Sequence, residues 1–449
     1  MTSTPAELRA RLVAKLAEAL EQPIPDSTAR RIHGAVVLPG KATAVVGMRR
    51  AGKTTYLHQL RRERLARGVP RERLVYLNFE DEQLVGMSAD QLHLVTDEYY
   101  RLHPAAREGI AVTWCLDEIQ TVPGWERFVR RMLDTERVEM FVSGSSAALL
   151  SREIATAMRG RAWEVLVHPF ALDEALRHQE RTIPADPAFL SPAERSSLER
   201  EFLDYLQTGG FPEVQGLDAA TARRVLRDYV DVTMLRDVME RHGVSNVAAL
   251  RWLVRHLLGN AASPFSVEKF FRDLKSQGLR VSKDTVHALL AHLEDAFLVR
   301  VVWVESESER RRMVNPRKIY PIDPGLISVF DRSGRANLGH ALETVVLLEL
   351  ERRRAEITYV RTASGYEVDF LARYPDGTVE LLQVCADLLD HATAERESRA
   401  LAEAHASFPN AQCRILTLRA ETSEGVAGAT VQPTYEWILA GAMSAGSVR

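Results

Sequence analysis

Residues Gly47 to Thr54 read GMRRAGKT, Thr55 follows, and the run fits the pattern G-x-x-x-x-G-K-[ST]. These residue types at this spacing serve the cradling of phosphates. Gly47 and Gly52 let the backbone turn tightly, so successive N–H groups through Met48, Arg49, Arg50 and Ala51 can point at phosphate oxygens. Lys53 can reach the β- and γ-phosphates, the Thr54 hydroxyl can ligate Mg²⁺, and Thr55 continues into the following helix. ATP and Mg²⁺ are the cofactors this pattern implies.

A second group lies downstream. The apolar run Ala111 to Leu116 (AVTWCL) ends in Asp117-Glu118. Asp117 is expected to hold Mg²⁺, and Glu118 to orient or deprotonate an attacking water. Ser143, at the end of the run Val138 to Val142, is a candidate sensor of the γ-phosphate. Asn78 ends the run Leu74 to Phe79 and is expected to hydrogen-bond Glu118 in the idle state. Arg159 and Arg161 flank Gly160 and are candidates for stabilising phosphoryl charge in a neighbouring subunit's site.

The elements that must carry these residues alternate. Ala42 to Val46 reads as a buried strand, and a helix from Thr54 would carry Leu57, Leu60 and Leu65 on one side. Leu74–Phe79, Ala111–Leu116 and Val138–Val142 read as further strands with helices between them. The fold class is therefore α/β, a P-loop ATPase core with a parallel sheet and helices on both faces, its ligand at the strand C-termini. The strand Leu74–Phe79 leaves room for the extra sheet strand of ATPases that use a catalytic glutamate.

The whole chain has 449 residues and a net charge of −3, with 46% hydrophobic residues. That length suits about three domains. Three scattered cysteines, Cys115, Cys385 and Cys413, form no disulfide or zinc pattern, which suits a reducing, cytoplasmic setting. No apolar run approaches a membrane span, so no membrane role is expected. The N-terminal stretch, residues 1–31, reads as an amphipathic helix opened by Thr4, Pro5 and Glu7, with Leu8, Leu12, Leu16 and Leu20 in one stripe. Packing of that stripe within the chain is expected over packing on a second subunit.

After the core, residues 32–170, the segment 171–245 reads as a helical lid and connector. Residues 246–318 read as three short helices, with Ser266 and Ser282 as N-caps, followed by a hairpin, which is the pattern of a winged helix. From Arg251 to Lys318 there are 13 basic against 8 acidic residues, a net charge of +5. Lys283, His287 and a wing formed by Arg310, Arg311 and Arg312 are the candidate DNA phosphate contacts. Residues 319–440 carry their own α/β pattern, and 441–449 read as a loose tail.

The words GMRRAGKTT, YLNFEDE, LDEIQ with Trp125 nearby, VSGSSAALLS, MRGR, GGFPEV, NPRKIYPIDPGL, GYEVDF, LLQVC and ERESRAL together resemble one prokaryotic family. These are AAA-superfamily ATPases with a C-terminal restriction-endonuclease-like domain of unknown function. The resemblance runs from about Ile32 to Leu439 and implies ATP binding, hydrolysis, a winged-helix middle segment and a DNA role. In nucleases of that fold a helix acid, a hairpin acid and an acid-x-Lys pair hold Mg²⁺ and activate water. Glu343 and Asp369 match the two acids, but Gln383 and Cys385 stand where the acid and lysine belong. No lysine follows Lys318, so only an arginine such as Arg361 or Arg396 is expected to deputise, and the terminal domain reads as catalytically degenerate. Glu343, Glu367 and Asp369 are left to bind a metal weakly or to hold the fold.

The sequence thus points to a Mg²⁺-dependent, homo-oligomeric ATPase whose cycle is coupled to DNA, with further protein partners through the terminal domain. The alternatives are a nucleotide-dependent protein-interaction switch in defence or regulation and, less favoured, an active ATP-dependent nuclease.

Overall fold

The computed structural model describes residues 5–32, 36–145, 158, 160–184, 186–187, 189–314, 316–331, 337–388, 391–420 and 428–446. The chain divides into two units, Met1–Val167 and His168–Arg449.

Apolar runs bounded by glycine or acids give the first unit five strands: β1 (Ala42–Val46), β2 (Leu74–Asn78), β3 (Val112–Asp117), β4 (Val138–Gly144) and β5 (Ala162–Leu166). All pair in parallel, in the order β2-β3-β4-β1-β5. Every residue of β1 and β3 is buried, as expected for strands covered on both faces. In space β4 stands between β1 and β3, and β2, from the Leu74–Phe79 run, lies at the sheet edge. Order along the chain did not fix order in space. β5 was not foreseen, because AWEVL alternates and is only partly buried.

The helix Lys53–Ala66 follows β1 directly and buries Tyr56, Leu57 and Leu60, while Leu65 is exposed. Its inward face runs through Arg61, whose guanidinium is spent on the carbonyls of Leu74 and Ala19. In the N-terminal helix, Pro5–Glu21, Leu8, Leu12 and Leu16 pack into the same core as Val75, Leu77 and Trp114. The stripe is thus used within the chain, and Thr4 lies outside the described residues.

The second unit begins with helices Leu172–His178, Pro192–Thr208 and Ala219–Val232, the last continuing as a wider π-type turn over Thr233–Glu240. Three helices follow: Val247–Gly259, Val267–Ser276 and Lys283–Asp295. Ser266 accepts the Lys269 N–H at 3.3 Å and Ser282 accepts the Thr285 N–H at 3.0 Å, so both N-caps form. Strands β6 (Pro264–Phe265), β7 (Val299–Val304) and β8 (Arg317–Pro321) make a small antiparallel set. The segment between β7 and β8 is not an open wing: Glu309–Val314 is helical, with Arg312 Nη1 donating to Glu309 at 3.2 Å.

After the helix Leu338–Arg352 come β9 (Glu356–Arg361), β10 (Glu367–Arg373), β11 (Val379–Cys385), β12 (Gln412–Thr417) and β13 (Thr430–Pro433), with the helix His391–Ser407 between β11 and β12. β7 pairs in parallel with β9, Trp303 opposite Thr358, so one sheet runs β13-β12-β11-β10-β9-β7-β8-β6. A boundary between residues 318 and 319 therefore cuts β8. The chain end differs from a loose tail: Thr434–Gly446 is a helix. Arg353 fixes it by donating to the Trp437 carbonyl at 2.9 Å, with its guanidinium 3.9 Å from the Trp437 ring centre.

Candidate functional site

In the first unit the turn after β1 and the ends of β3 and β4 meet. Gly47 runs so close to the end of β5 that a Cβ there would stand 2.2 Å from the Val167 carbonyl oxygen, so only glycine fits. The buried Lys53 ammonium donates to the carbonyls of Gly47 at 3.1 Å and Met48 at 3.2 Å, across the loop's concave side. The Thr54 hydroxyl donates to Asp117 Oδ2 at 2.7 Å. Arg50, inside the loop, has a left-handed backbone with φ of 67°. Arg49 Nη1 reaches Glu80 at 3.3 Å, and Thr55 is exposed. Gly52 caps the helix that starts at Lys53, which directs that helix's N-terminal N–H groups at the loop's ligand side.

Asp117 and Glu118 are both buried. Ser143 lies where β4 passes between β1 and β3; its hydroxyl donates to Asp117 Oδ1 and accepts the Glu118 N–H at 3.1 Å. Glu118 has φ of 51° and ψ of 37°, an uncommon conformation for a glutamate, held by that bond and by Gln120, whose amide donates to the Glu118 carboxylate. Glu118 Oε1 is 3.9 Å from Lys53 Nζ. Burial raises the Glu118 pKa above the ordinary carboxylate value, and the Lys53 charge only partly opposes this.

The expected Asn78–Glu118 bond is replaced by Gln120. Asn78 Oδ1 instead accepts the Glu80 N–H at 2.9 Å, a local turn bond two residues away. Arg161 Nη1 donates to Asp134 of its own chain, and Arg159 lies outside the described residues. Several contributors escaped the sequence reading. Tyr76 donates to Asp117 Oδ2 at 2.8 Å from mid-strand β2. Arg30 Nη1 donates to the Ala51 carbonyl at 2.9 Å, and its backbone pairs with the Gln59 amide in both directions. A buried arginine before β1 and a glutamine on the inner face of the Lys53–Ala66 helix were the available signals.

The second unit gathers Glu343, Glu367 and Asp369, and it brings a cation to them that the sequence reading excluded. Lys318, on β8, places its buried ammonium 2.9 Å from Glu343 Oε1, 2.8 Å from Glu367 Oε1 and 2.9 Å from Asp369 Oδ1. The sequence offers no lysine beyond residue 318, and the cation comes from Lys318 itself. Tyr320, two residues along the same strand face, donates to Glu343 Oε1 at 2.6 Å. Burial alone would lower the Lys318 pKa, but Asp369, Tyr320, Glu343 and Glu367 together hold it well above the ordinary lysine value. Burial and the neighbouring Asp369 push the Glu343 carboxyl up to about 7.

Gln383 and Cys385 face other partners. Gln383 Nε2 donates to Glu397 at 2.6 Å, its oxygen accepts the Asp369 N–H at 3.4 Å, and Cys385 donates to the Asp387 carbonyl at 3.1 Å. Arg396 pairs with Glu397, and Arg361 is exposed, so the cation at the acids is Lys318 and not either arginine. Among the described residues no group of three or more His, Cys, Asp or Glu is arranged to hold a metal ion.

Of the candidate DNA contacts, Lys283 is half-exposed and pairs with Glu268 at 2.6 Å, His287 is half-buried, and Arg310 is exposed. The side chain of Arg311 lies outside the described residues. A cavity of about 850 Å³ in this unit is lined by Arg227, Arg251, Trp252 and Arg255, with Asp231 and Asp331 also on its wall. Arg251 and Arg255 stand one helical turn apart and exposed, beside a Trp252 that is 51% exposed. No helix of the described residues is long and apolar enough to cross a membrane.

Residues 39–176 match the family described as an AAA domain, and residues 199–335 match a domain of unknown function, DUF8612. The chain is 31% identical over 397 residues to the uncharacterized protein MJ1544 of Methanocaldococcus jannaschii, covering 87% of this chain and 85% of that protein. It is 28% identical over 334 residues to an uncharacterized protein of Haemophilus influenzae, covering 74% and 79%. Among solved structures it is similar to the Walker-type ATPase PABY2304 of Pyrococcus abyssi, with 16% identity, a TM-score of 0.40 and coverage of 72% and 95%. It is also similar to the ORC1 protein of Aeropyrum pernix in complex with DNA, with 19% identity, a TM-score of 0.28 and coverage of 72% and 90%.

Proposed function

The chain belongs to the family of the archaeal protein MJ1544, its AAA domain makes it an ATP hydrolase, and on that footing we propose that its Mg²⁺-dependent nucleotide cycle is coupled to DNA binding or remodelling. The observation that carries the nucleotide chemistry is the meeting of Lys53, Thr54, Asp117, Glu118 and Ser143 at one end of the parallel sheet. Thr54 and Asp117 fit a Mg²⁺ ion, because a hydroxyl and a carboxylate oxygen converge there beside the phosphate cradle. Bound there, the ion supplies charge neutralisation at the β- and γ-phosphates. Lys53 turns from the loop carbonyls to the phosphates. Glu118 takes the proton of the attacking water, and Ser143 links that carboxylate's backbone to Asp117, so loss of the γ-phosphate is felt at both acids.

The DNA part of the proposal is supported by the net charge of +5 over Arg251 to Lys318 and by the cations Arg251, Arg255 and Arg310 exposed on that segment. The experiment is the ATPase rate with and without duplex, branched and single-stranded DNA. Stimulation by any of them supports coupling; identical rates with all three remove it. In this reading the enzyme assembles as a homo-oligomer, and Arg161 must leave Asp134 before it can serve a neighbouring site. The terminal domain is a nuclease-like module without nuclease activity.

A second reading, a nucleotide-dependent switch for protein partners, is favoured by one observation. Two of the expected DNA contacts, Lys283 and Arg312, are neutralised by Glu268 and Glu309 of the same chain. Tight nucleotide retention without stimulation by DNA would select it.

A further inference from the structure

The terminal domain resembles a fold whose metal site is built from carboxylates, yet the residues present do not fit a divalent ion. We infer that the Lys318 ammonium occupies the cation position of the Glu343–Glu367–Asp369 cluster, so that the terminal domain holds its acids together with an internal lysine from β8 in place of a metal.

The geometry is that of an ammonium enclosed by three carboxyl groups. Lysine has three N–H donors. Two of them are given to Glu343 Oε1 and Asp369 Oδ1, each at 2.9 Å, Glu367 Oε1 stands 2.8 Å from the same nitrogen as an ion pair, and the side chain is buried. The nitrogen sits between the three acids, and among the described residues no group of three or more His, Cys, Asp or Glu is arranged to hold a metal ion beside it. The second oxygen of Asp369 is engaged elsewhere: Oδ2 accepts the Val384 N–H at 2.9 Å. Gln383, at the position of a second acid, turns its oxygen to the Asp369 N–H rather than to the cluster. An amide there adds no further negative charge to a cluster in which three carboxyl groups already share one ammonium.

The lysine also comes from a different part of the chain than the acids. β8 belongs to the hairpin that follows the helix Lys283–Asp295, whereas Glu343 sits on the helix Leu338–Arg352 and Glu367 and Asp369 on β10. β8 is separated from β10 in the sheet by β7 and β9. The side chain thus reaches across the sheet face and ties the hairpin to the terminal domain. A metal would make no such link, since all three acids lie on the terminal domain's own elements. The substitution of an internal cation therefore exchanges ligand dependence for a permanent latch.

The test uses the full-length, nucleotide-free protein and Mn²⁺ as the probe. In the wild type, Mn²⁺ titration followed by electron paramagnetic resonance should show no site that Asp369→Asn abolishes. Lys318→Met should lower the unfolding temperature and gain one Mn²⁺ site. Mn²⁺ at many times its Kd should then raise the variant's unfolding temperature by roughly 2–5 °C. Lys318→Met combined with Asp369→Asn should lose that response. A wild-type Mn²⁺ site that depends on Asp369 overturns the inference, and so does a folded Lys318→Met protein that neither binds nor responds to Mn²⁺. If Lys318→Met fails to fold, the wild-type comparison with Asp369→Asn still decides the matter.

Discussion

The Thr54 hydroxyl donates to Asp117 Oδ2 at 2.7 Å across 63 residues of sequence. The bond joins the first turn of the helix after β1 to the end of β3, two strands away, with β4 and its Ser143 between them. The proposed mechanism gives binding and hydrolysis to different side chains at this one site. Lys53→Ala should abolish nucleotide binding. Glu118→Gln should keep binding and lower turnover by about 10²–10⁴-fold, the usual contribution of a positioned general base. Equilibrium binding of a fluorescent ATP analogue and steady-state phosphate release measure the two, and a Glu118→Gln enzyme at the wild-type rate would take Glu118 out of the mechanism.

The buried Glu118 gives the enzyme a specific pH dependence. Its pKa is raised from the ordinary value of 4.5 by burial. In the proposed mechanism catalysis needs the carboxylate, so activity should be present above the raised pKa and lost as pH falls through it. The acid limb of the kcat profile should therefore lie at higher pH than an exposed glutamate would give. Gln120→Ala removes a donor that favours the charged form, so it should move that limb to still higher pH. A limb at or below the ordinary carboxylate range in both proteins contradicts this placement.

In the second unit, the GGFPEV and DPGL words meet at one buried carboxylate. Asp323 accepts the Gly210 N–H at 2.6 Å and the Gly325 N–H at 2.9 Å. A Cβ at Gly209, where φ is 79°, would stand 1.7 Å from Asp323 Oδ1. Asp323→Ala should cost about 1–3 kcal/mol for each buried N–H left without an acceptor. Gly209→Ala should be similarly damaging, whereas Gly339→Ala, in a helix with nothing within 4 Å, should be neutral or stabilising by about 0.5–1 kcal/mol. Denaturant unfolding of the three variants checks the order.

The legible and illegible parts of this chain divide by range of interaction. The phosphate loop, the Asp117-Glu118 strand end, and the Ser266 and Ser282 caps could be read because each is written in a few consecutive residues. Strand order could not be read, because β4 enters between β1 and β3 only in space. Gln120 and Asn78 both flank Glu118 chemically. Which of them bonds it depends on a left-handed backbone at Glu118 that local pattern does not announce. No lysine follows residue 318, and that Lys318 itself meets the acids is legible only in space, where the joined sheet carries it to them. The helix Glu309–Val314 was missed for the opposite reason: its three consecutive arginines suggested an exposed wing, while Glu309 and Arg312 are spaced to pair along a helix.

DNA binding, if it uses this segment, should have two separable contributions. Replacing Arg310, Arg311 and Arg312 with Ala should weaken binding to all sequences and reduce the slope of log affinity against log salt by about 0.9 per lost phosphate contact. Arg312 pairs with Glu309, so the loss should fall short of three full contacts. Arg251→Ala with Arg255→Ala should reduce the slope by nearer two, because both are exposed beside the same cavity. Fluorescence anisotropy at several salt concentrations measures each slope. Unchanged affinity and slope in both variants would remove this face as the DNA contact.

Purified protein should not cleave DNA in Mg²⁺ or Mn²⁺, with or without ATP. Phosphodiester hydrolysis on a carboxylate site needs a metal ion to activate water and to offset charge on the phosphate. Here the three acids already share the Lys318 ammonium, and Gln383 and Cys385 bond to Glu397 and the Asp387 carbonyl instead of facing the cluster. Gln383→Glu with Cys385→Lys should not restore cleavage while Lys318 remains, because the added acid and lysine would surround a position that is already filled. A supercoiled plasmid assay distinguishes the outcomes. Nicking by the unmodified protein that disappears in Asp369→Ala would show that the terminal domain is an active nuclease despite Lys318 at its acids.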